Sequence, residues 1–175
     1  LISASTFEYC FGEAASPLSS ALQPASPGGQ HKWYMPDGSV SVSGSPTPST
    51  AVSDTFVYEV SFVSTNLGCE SPRTQITIIV HDVPPAPATA SVDYCLNDPN
   101  PLQLTATALA GYTLKWYDID GQTYLNTGAP TPSTGSAGTV TYYVSQESPL
   151  GCEGVKGTLD VLIHDLPTIT TTATT

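Results

Sequence analysis

The tripeptide Glu8-Tyr9-Cys10 returns 85 residues later as Asp93-Tyr94-Cys95. Lys32-Trp33-Tyr34 recurs as Lys115-Trp116-Tyr117, and Pro46-Thr47-Pro48-Ser49-Thr50 as Pro130-Thr131-Pro132-Ser133-Thr134. Gly68-Cys69-Glu70 matches Gly151-Cys152-Glu153, and His81-Asp82-Val83-Pro84 matches His164-Asp165-Leu166-Pro167. Offsets this constant mean that one unit of about 84 residues is written twice, which constrains the fold before any secondary-structure argument does. The chain is expected to divide into residues 1–84 and 85–167, with 168–175 standing where a further repeat would begin. The joint Asp82-Val83-Pro84-Pro85-Ala86-Pro87 carries three prolines. Their fixed φ predicts an extended, semi-rigid spacer between domains set end to end. All four basic residues fall in repeat-equivalent places, Lys32 with Lys115 and Arg73 with Lys156, as scaffold positions would.

Within each copy the apolar residues recur with period two, the mark of half-buried strands. Leu102, Leu104, Ala106 and Ala108 alternate with polar partners, and so do Leu114 and Trp116. Phe56, Tyr58, Val60 and Phe62 share one face, as do Val140, Tyr142 and Val144. The last strand offers Ile76, Ile78 and Val80, matched by Leu159, Val161 and Ile163. Asp37-Gly38 and Asp120-Gly121 read as hairpin turns. Short strands, frequent turn signals and one central Trp per copy predict an all-β chain of two tandem immunoglobulin-like β-sandwich domains joined by a Pro-rich linker. Trp33, Trp116, Tyr58 and Tyr142 are the expected core.

Composition removes several function classes. With 15 acidic against 4 basic residues and a formal charge of −11, the chain lacks the basic surface that holds a phosphate backbone. Nucleic acid is not an expected partner. No apolar run approaches the roughly 20 residues of a transmembrane helix. The four cysteines fall two per repeat, and a self-contained repeat would pair Cys10 with Cys69 and Cys95 with Cys152. Four cysteines allow three connectivities, so the other pairings stay open. Bridges would imply an oxidising compartment and an exported protein; four buried thiols in a cytosolic protein are the alternative.

The segments Leu102-Gln103-Leu104-Thr105-Ala106-Thr107-Ala108, Leu114-Lys115-Trp116-Tyr117, Thr131-Pro132-Ser133-Thr134, Tyr142-Tyr143-Val144-Ser145-Gln146 and Gly151-Cys152-Glu153 carry a further signal. Together they resemble the immunoglobulin-like repeat of large secreted and cell-surface proteins of the Bacteroidetes. The resemblance spans nearly the whole second copy and, more loosely, the first. It implies tandem stalks of adhesins, gliding-motility proteins or multidomain hydrolases, often exported by the type IX system. The first copy departs from the pattern where Ser19, Ser20 and Pro24 interrupt its second strand and where Glu59 replaces the second tyrosine.

Chemical signatures are sparse. His81 and His164, each followed by an acid, lack the three or four convergent ligands of a metal site and read as solvated strand ends. Asp82, Asp98 and Asp165, with Asp93 and Asn97, are candidate calcium oxygens near the joints. No Asp-x-Asp-x-Asp-Gly loop accompanies them, and Asp118-x-Asp120-Gly121 reads as a hairpin tip. His31, on the Trp33 face of its strand, is expected to be structural. No Gly-x-Ser-x-Gly elbow, His-Glu-x-x-His, Walker loop or Cys-x-x-Cys is present, so no catalysis and no cofactor is expected. Tyr34, Tyr117 and Tyr143 should face away from the Trp core and form a candidate binding face for polysaccharide or protein. Asp54-Thr55-Phe56 loosely matches a bacterial O-glycosylation pattern.

The expected function is structural or adhesive: repeats forming an extended stalk of a large exported cell-surface protein or extracellular filament, with neighbouring repeats as partners. The alternatives are a carbohydrate- or protein-binding module on the Tyr-rich face, or a self-assembling fibre subunit. The fibre would form by strand exchange through the strand-like segment Ile169-Thr170-Thr171-Thr172-Ala173-Thr174-Thr175.

Overall fold

Alternating apolar side chains over ten residues produce the longest strand of each copy, and the remaining strands assemble around it. In a computed structural model, residues 5–22, 28–42, 44–125 and 128–169 are described, and the chain divides into two units, Leu1–Asp82 and Val83–Thr175. Pro24 and residues 170–175, to which the strand interruption and the fibre reading refer, lie outside the described residues.

The first unit contains β1 (Ser5–Cys10), a 3-10 turn η1 (Leu18–Ala21), β2 (Gly29–Tyr34), β3 (Val40–Ser41), β4 (Thr55–Ser64) and β5 (Thr74–His81). They form a sheet in the order β1-β5-β4-β2-β3. β4 pairs antiparallel with β2 and β5, with Val60 opposite both Trp33 and Thr74. β1 runs parallel to β5, so Cys10 ends opposite His81. Period two then sends Trp33, Tyr58, Val60, Ile76, Ile78 and Val80 to one buried face. Leu18 closes that core from η1. Its backbone N–H donates to Pro46 O at 2.9 Å, and Thr50 Oγ1 donates to Glu13 O at 2.7 Å. The repeated Pro-Thr-Pro-Ser-Thr motif is thus the covering layer. Its prolines have no N–H for a ladder, so the motif holds on through carbonyls and a threonine hydroxyl.

The second unit contains β6 (Ala88–Thr89), β7 (Val92–Cys95), β8 (Ala106–Thr107), β9 (Thr113–Tyr117), β10 (Gly138–Glu147) and β11 (Gly157–His164). The main sheet runs β7-β11-β10-β9, and β6 pairs with β8. β7 is parallel to β11, with Cys95 opposite His164. Leu104, Trp116, Tyr142, Val144, Leu159, Val161 and Ile163 form the core. Leu104 donates to Pro130 O at 2.9 Å as Leu18 does to Pro46 O, and Thr134 Oγ1 donates to Asp98 O at 2.9 Å. The fold is an all-β, immunoglobulin- or fibronectin-like sandwich with almost no helix.

One expected strand is shorter than its periodicity suggests. Of residues 102–108 only Ala106–Thr107 is a strand, and Leu102 is 74 % exposed. Its N–H donates to the Tyr94 hydroxyl at 3.1 Å, which takes it out of ladder position. The Pro-rich segment, expected as an extended, semi-rigid spacer, packs in part onto the second unit. Pro84 and Pro87 are buried within the second unit. Gln146 Nε2 donates to Pro85 O at 2.8 Å while Gln146 Oε1 accepts from Leu109 N at 2.8 Å, so a fully buried amide is satisfied on both sides.

Gly154 faces this segment closely: a Cβ there would lie 2.1 Å from Pro84 O. Gly154→Ala is expected to destabilise the second unit by about 1–3 kcal/mol, as overpacking does, and to speed hydrogen exchange at Ala88 and Thr89. Gly135→Ala, whose nearest outside atom lies 3.8 Å away, serves as the silent control. Equal stability of the two variants in urea denaturation would refute this packing role.

Candidate functional site

The Lys-Trp-Tyr and Gly-Cys-Glu motifs are far apart in sequence and meet in each unit. In β2 the central Trp33 points into the core, which sends Lys32 and Tyr34 to the opposite face. The residues after β4 turn back so that Glu70 bridges Val63, and this brings its carboxylate under those two side chains. Lys32 Nζ lies 2.9 Å from Glu70 Oε2, the Tyr34 hydroxyl donates to Glu70 Oε1, and the buried Ser61 hydroxyl donates to the same oxygen at 2.6 Å. Hydrogen bonds from Ser61, Tyr34 and Lys32 pull the Glu70 carboxyl down to about 2.

The second unit repeats the arrangement with additions. Ser145 Oγ donates to Glu153 Oε1 at 2.6 Å, the Tyr117 hydroxyl donates to the same atom, and Lys115 Nζ lies 3.0 Å from Glu153 Oε2 and 2.6 Å from Glu147 Oε2. Burial works to raise the Glu153 carboxyl, but hydrogen bonds from Ser145, Tyr117 and Lys115 outweigh it and hold the group below its usual range. The Lys115 ammonium is raised, chiefly by its bond to Glu147. Burial, then the neighbouring Glu153, raises the Tyr117 phenol.

The candidate binding face takes a different form from the one expected. Tyr117 is 7 % exposed, because Glu153 recruits its hydroxyl and Lys156 lies over its ring, 3.6 Å from the centroid. Arg73 lies 3.5 Å over the Tyr34 ring. Tyr143 is half-buried, with its ring packed on the Asp120-Gly121 turn. Cation–π contacts and hydrogen bonds therefore use Tyr34 and Tyr117 as internal fasteners. Glu59, the departure in the first copy, is explained by its partner: it pairs with Arg73 at 3.1 Å. In the second copy the equivalent pair is Tyr143 and Lys156, and Lys156 donates instead to Gly121 O at 2.8 Å. Sequence reasoning missed the serines. Their signal is a serine, Ser61 and Ser145, repeated directly after the inward valine of each long strand.

The cysteines require a correction. Cys69 and Cys95 are exposed free thiols, whereas Cys10 and Cys152 are disulfide-bonded. Neither bridge expected within a repeat exists. Cys10 stands beside His81 at the end of β5, while Cys69 precedes Thr74 at its start. The length of the strand, about 23 Å, separates them, against a limit near 7 Å between bridged Cα atoms. Cys95 and Cys152 are divided by β11 in the same way.

The remaining candidates sit apart. His81 Nε2 lies 2.9 Å from Glu8 Oε2 and His164 Nε2 2.9 Å from Asp93 Oδ1, each pair tying the first strand of its unit to the last. His31 packs edge-on against Trp33 and Phe62. Asp98 accepts from Asn100 N at 2.9 Å, closing its own turn, and Asp120 accepts from Gln122 N and Thr123 N, each at 2.8 Å, at a hairpin tip. Asp54 accepts from Thr55 N at 2.7 Å. Asp82 and Asp165 are exposed. Among the described residues no group of three or more His, Cys, Asp or Glu is placed to hold a metal ion. No described helix is long and apolar enough to cross a membrane.

Residues 84–164 match the family model described as Ig-like domain CHU_C associated, so the second unit is similar to an immunoglobulin-like repeat. Among solved structures, the fibronectin(III)-like modules of Clostridium thermocellum CbhA align over 98% of this chain and 96% of theirs, at 14% identity and a TM-score of 0.37. Drosophila N-cadherin EC1-4 aligns over 92% and 48%, at 15% identity and a TM-score of 0.34. The titin I9-I11 tandem aligns over 95% and 65%, at 12% identity and a TM-score of 0.40. Likenesses this distant add nothing to the architecture already described. No curated protein matches the chain.

Because Glu70 titrates at about 2 when folded against an ordinary 4.5, its fastening is fully present above pH 4.5 and is lost as pH falls toward 2. Glu70→Gln is expected to flatten the acid limb of the first unit's stability between those values, while lowering its stability at pH 7. Urea denaturation at stepped pH reads both effects, and an acid limb unchanged from the parent would show that the carboxylate plays no such part.

Proposed function

We propose that the chain is a stretch of structural repeats from an extended stalk or filament of an exported cell-surface protein. The observation that carries this reading is that the repeated residues are spent on the scaffold. Lys32, Tyr34 and Glu70 in one unit, and Lys115, Tyr117 and Glu153 in the other, fasten the same hairpin to the same strand. Disulfide-bonded cysteines are compatible with an oxidising, extracellular setting. The resemblance to Bacteroidetes surface repeats extends the proposal to an adhesin-type protein exported through the type IX system. Neighbouring repeats of the same chain are the partners this function needs, and no catalysis is part of it.

Electron microscopy of the native parent protein tests the proposal. A single-file string with an axial repeat of about 35–45 Å, the length of a strand of about ten residues plus its loops, is expected. A globular particle with the repeats folded around one another would overturn the stalk.

A further inference from the structure

Each repeat carries its two cysteines at opposite ends of its last strand. The first kind, Cys10 and Cys95, stands beside the final histidine of β5 or β11. The second kind, Cys69 and Cys152, follows a positive-φ glycine, Gly68 or Gly151, at the hairpin tip before that strand begins. One cysteine of each kind is already disulfide-bonded, namely Cys10 and Cys152. One of each kind, Cys95 and Cys69, is an exposed free thiol. Both kinds of position therefore support a disulfide, and neither can close one inside its own repeat.

We propose that Cys95 forms a disulfide with the Cys69 position of another repeat of the same kind, here supplied by a second copy of this chain. The link is head-to-tail. An interface that joins unlike ends does not close on itself as a twofold dimer does, and repeating it builds a filament wherever the rotation between copies does not close into a ring. Apolar groups flank both thiols: Leu67, beside Cys69, is 81 % exposed, and Leu166, at the His164 end near Cys95, is 52 % exposed. A docked neighbour would cover them.

The chemistry is two thiol–disulfide exchanges with a small disulfide oxidant, for which oxidised glutathione serves. One cysteine thiolate attacks the oxidant, forming a mixed disulfide and releasing one glutathione thiolate. The second cysteine thiolate then attacks the protein-side sulfur and releases the other. Two thiols are oxidised, one external disulfide is reduced, and the two protons pass to solvent or the departing thiolates.

The inference rests on the repeat reading but is tested separately, since it concerns covalent connectivity while the stalk is judged by axial shape. The purified chain is incubated with oxidised glutathione and followed on non-reducing gels with peptide mapping. A reductant-sensitive ladder with Cys69–Cys95 crosslinked peptides is expected. Cys69→Ser and Cys95→Ser, both at exposed sites, should each stay monomeric alone and form a one-to-one dimer when mixed, exceeding either self-pairing by about tenfold or more. Symmetric dimers of either variant forming as readily as the mixed dimer would overturn the proposal. Glutathione-capped monomers as the sole product would do so equally.

Discussion

The last strand of each unit is hydrogen-bonded on both sides. It runs antiparallel to the long preceding strand and parallel to the first one. Ile76, Ile78 and Val80 in β5, and Leu159, Val161 and Ile163 in β11, are consequently the most completely buried rows of their cores. The parallel partner cannot arrive by a tight hairpin; it must come from the far end of the repeat. That constraint brings the His81–Glu8 and His164–Asp93 pairs together across the edge of the sheet. It also sends the two cysteines of a repeat to opposite ends.

The polar cluster behind the tryptophan follows from the same ladders. A strand that places Trp33 or Trp116 inward must place Lys and Tyr outward, and a hairpin that turns at Gly68 or Gly151 returns a glutamate to them. Two hydroxyl donors, one from tyrosine and one from a buried serine, and an ammonium around one carboxylate form a charge-assisted network stronger than separate surface pairs. Tyr34 and Tyr117, two of the three tyrosines that read as a binding surface, are consumed by it. The Tyr34 and Tyr117 hydroxyls are bonded to glutamate and their rings lie under cations, while the Tyr143 ring packs on the Asp120-Gly121 turn.

Much of this was legible beforehand. The repeat, the all-β character and the inward rows at 56–62, 76–80, 140–144 and 159–163 can be read from period two and from motif recurrence. The role of Pro-Thr-Pro-Ser-Thr could not, because a motif that covers a core through carbonyls leaves no apolar alternation to detect. Leu102 was misread for a related reason. It continues the alternation of its neighbours, but Tyr94, distant in the fold's logic though near in sequence, captures its backbone.

The sequence by itself determined where strands form and which side of each is apolar, since a strand's side chains alternate whatever it pairs with. It also determined that whatever one repeat does, the other does again. Only the tertiary structure decided which motifs meet and which sulfurs can reach one another. Pairing direction converts sequence separation into distance: a parallel first strand puts Cys10 beside His81 rather than beside Cys69, and no count of cysteines per repeat contains that information.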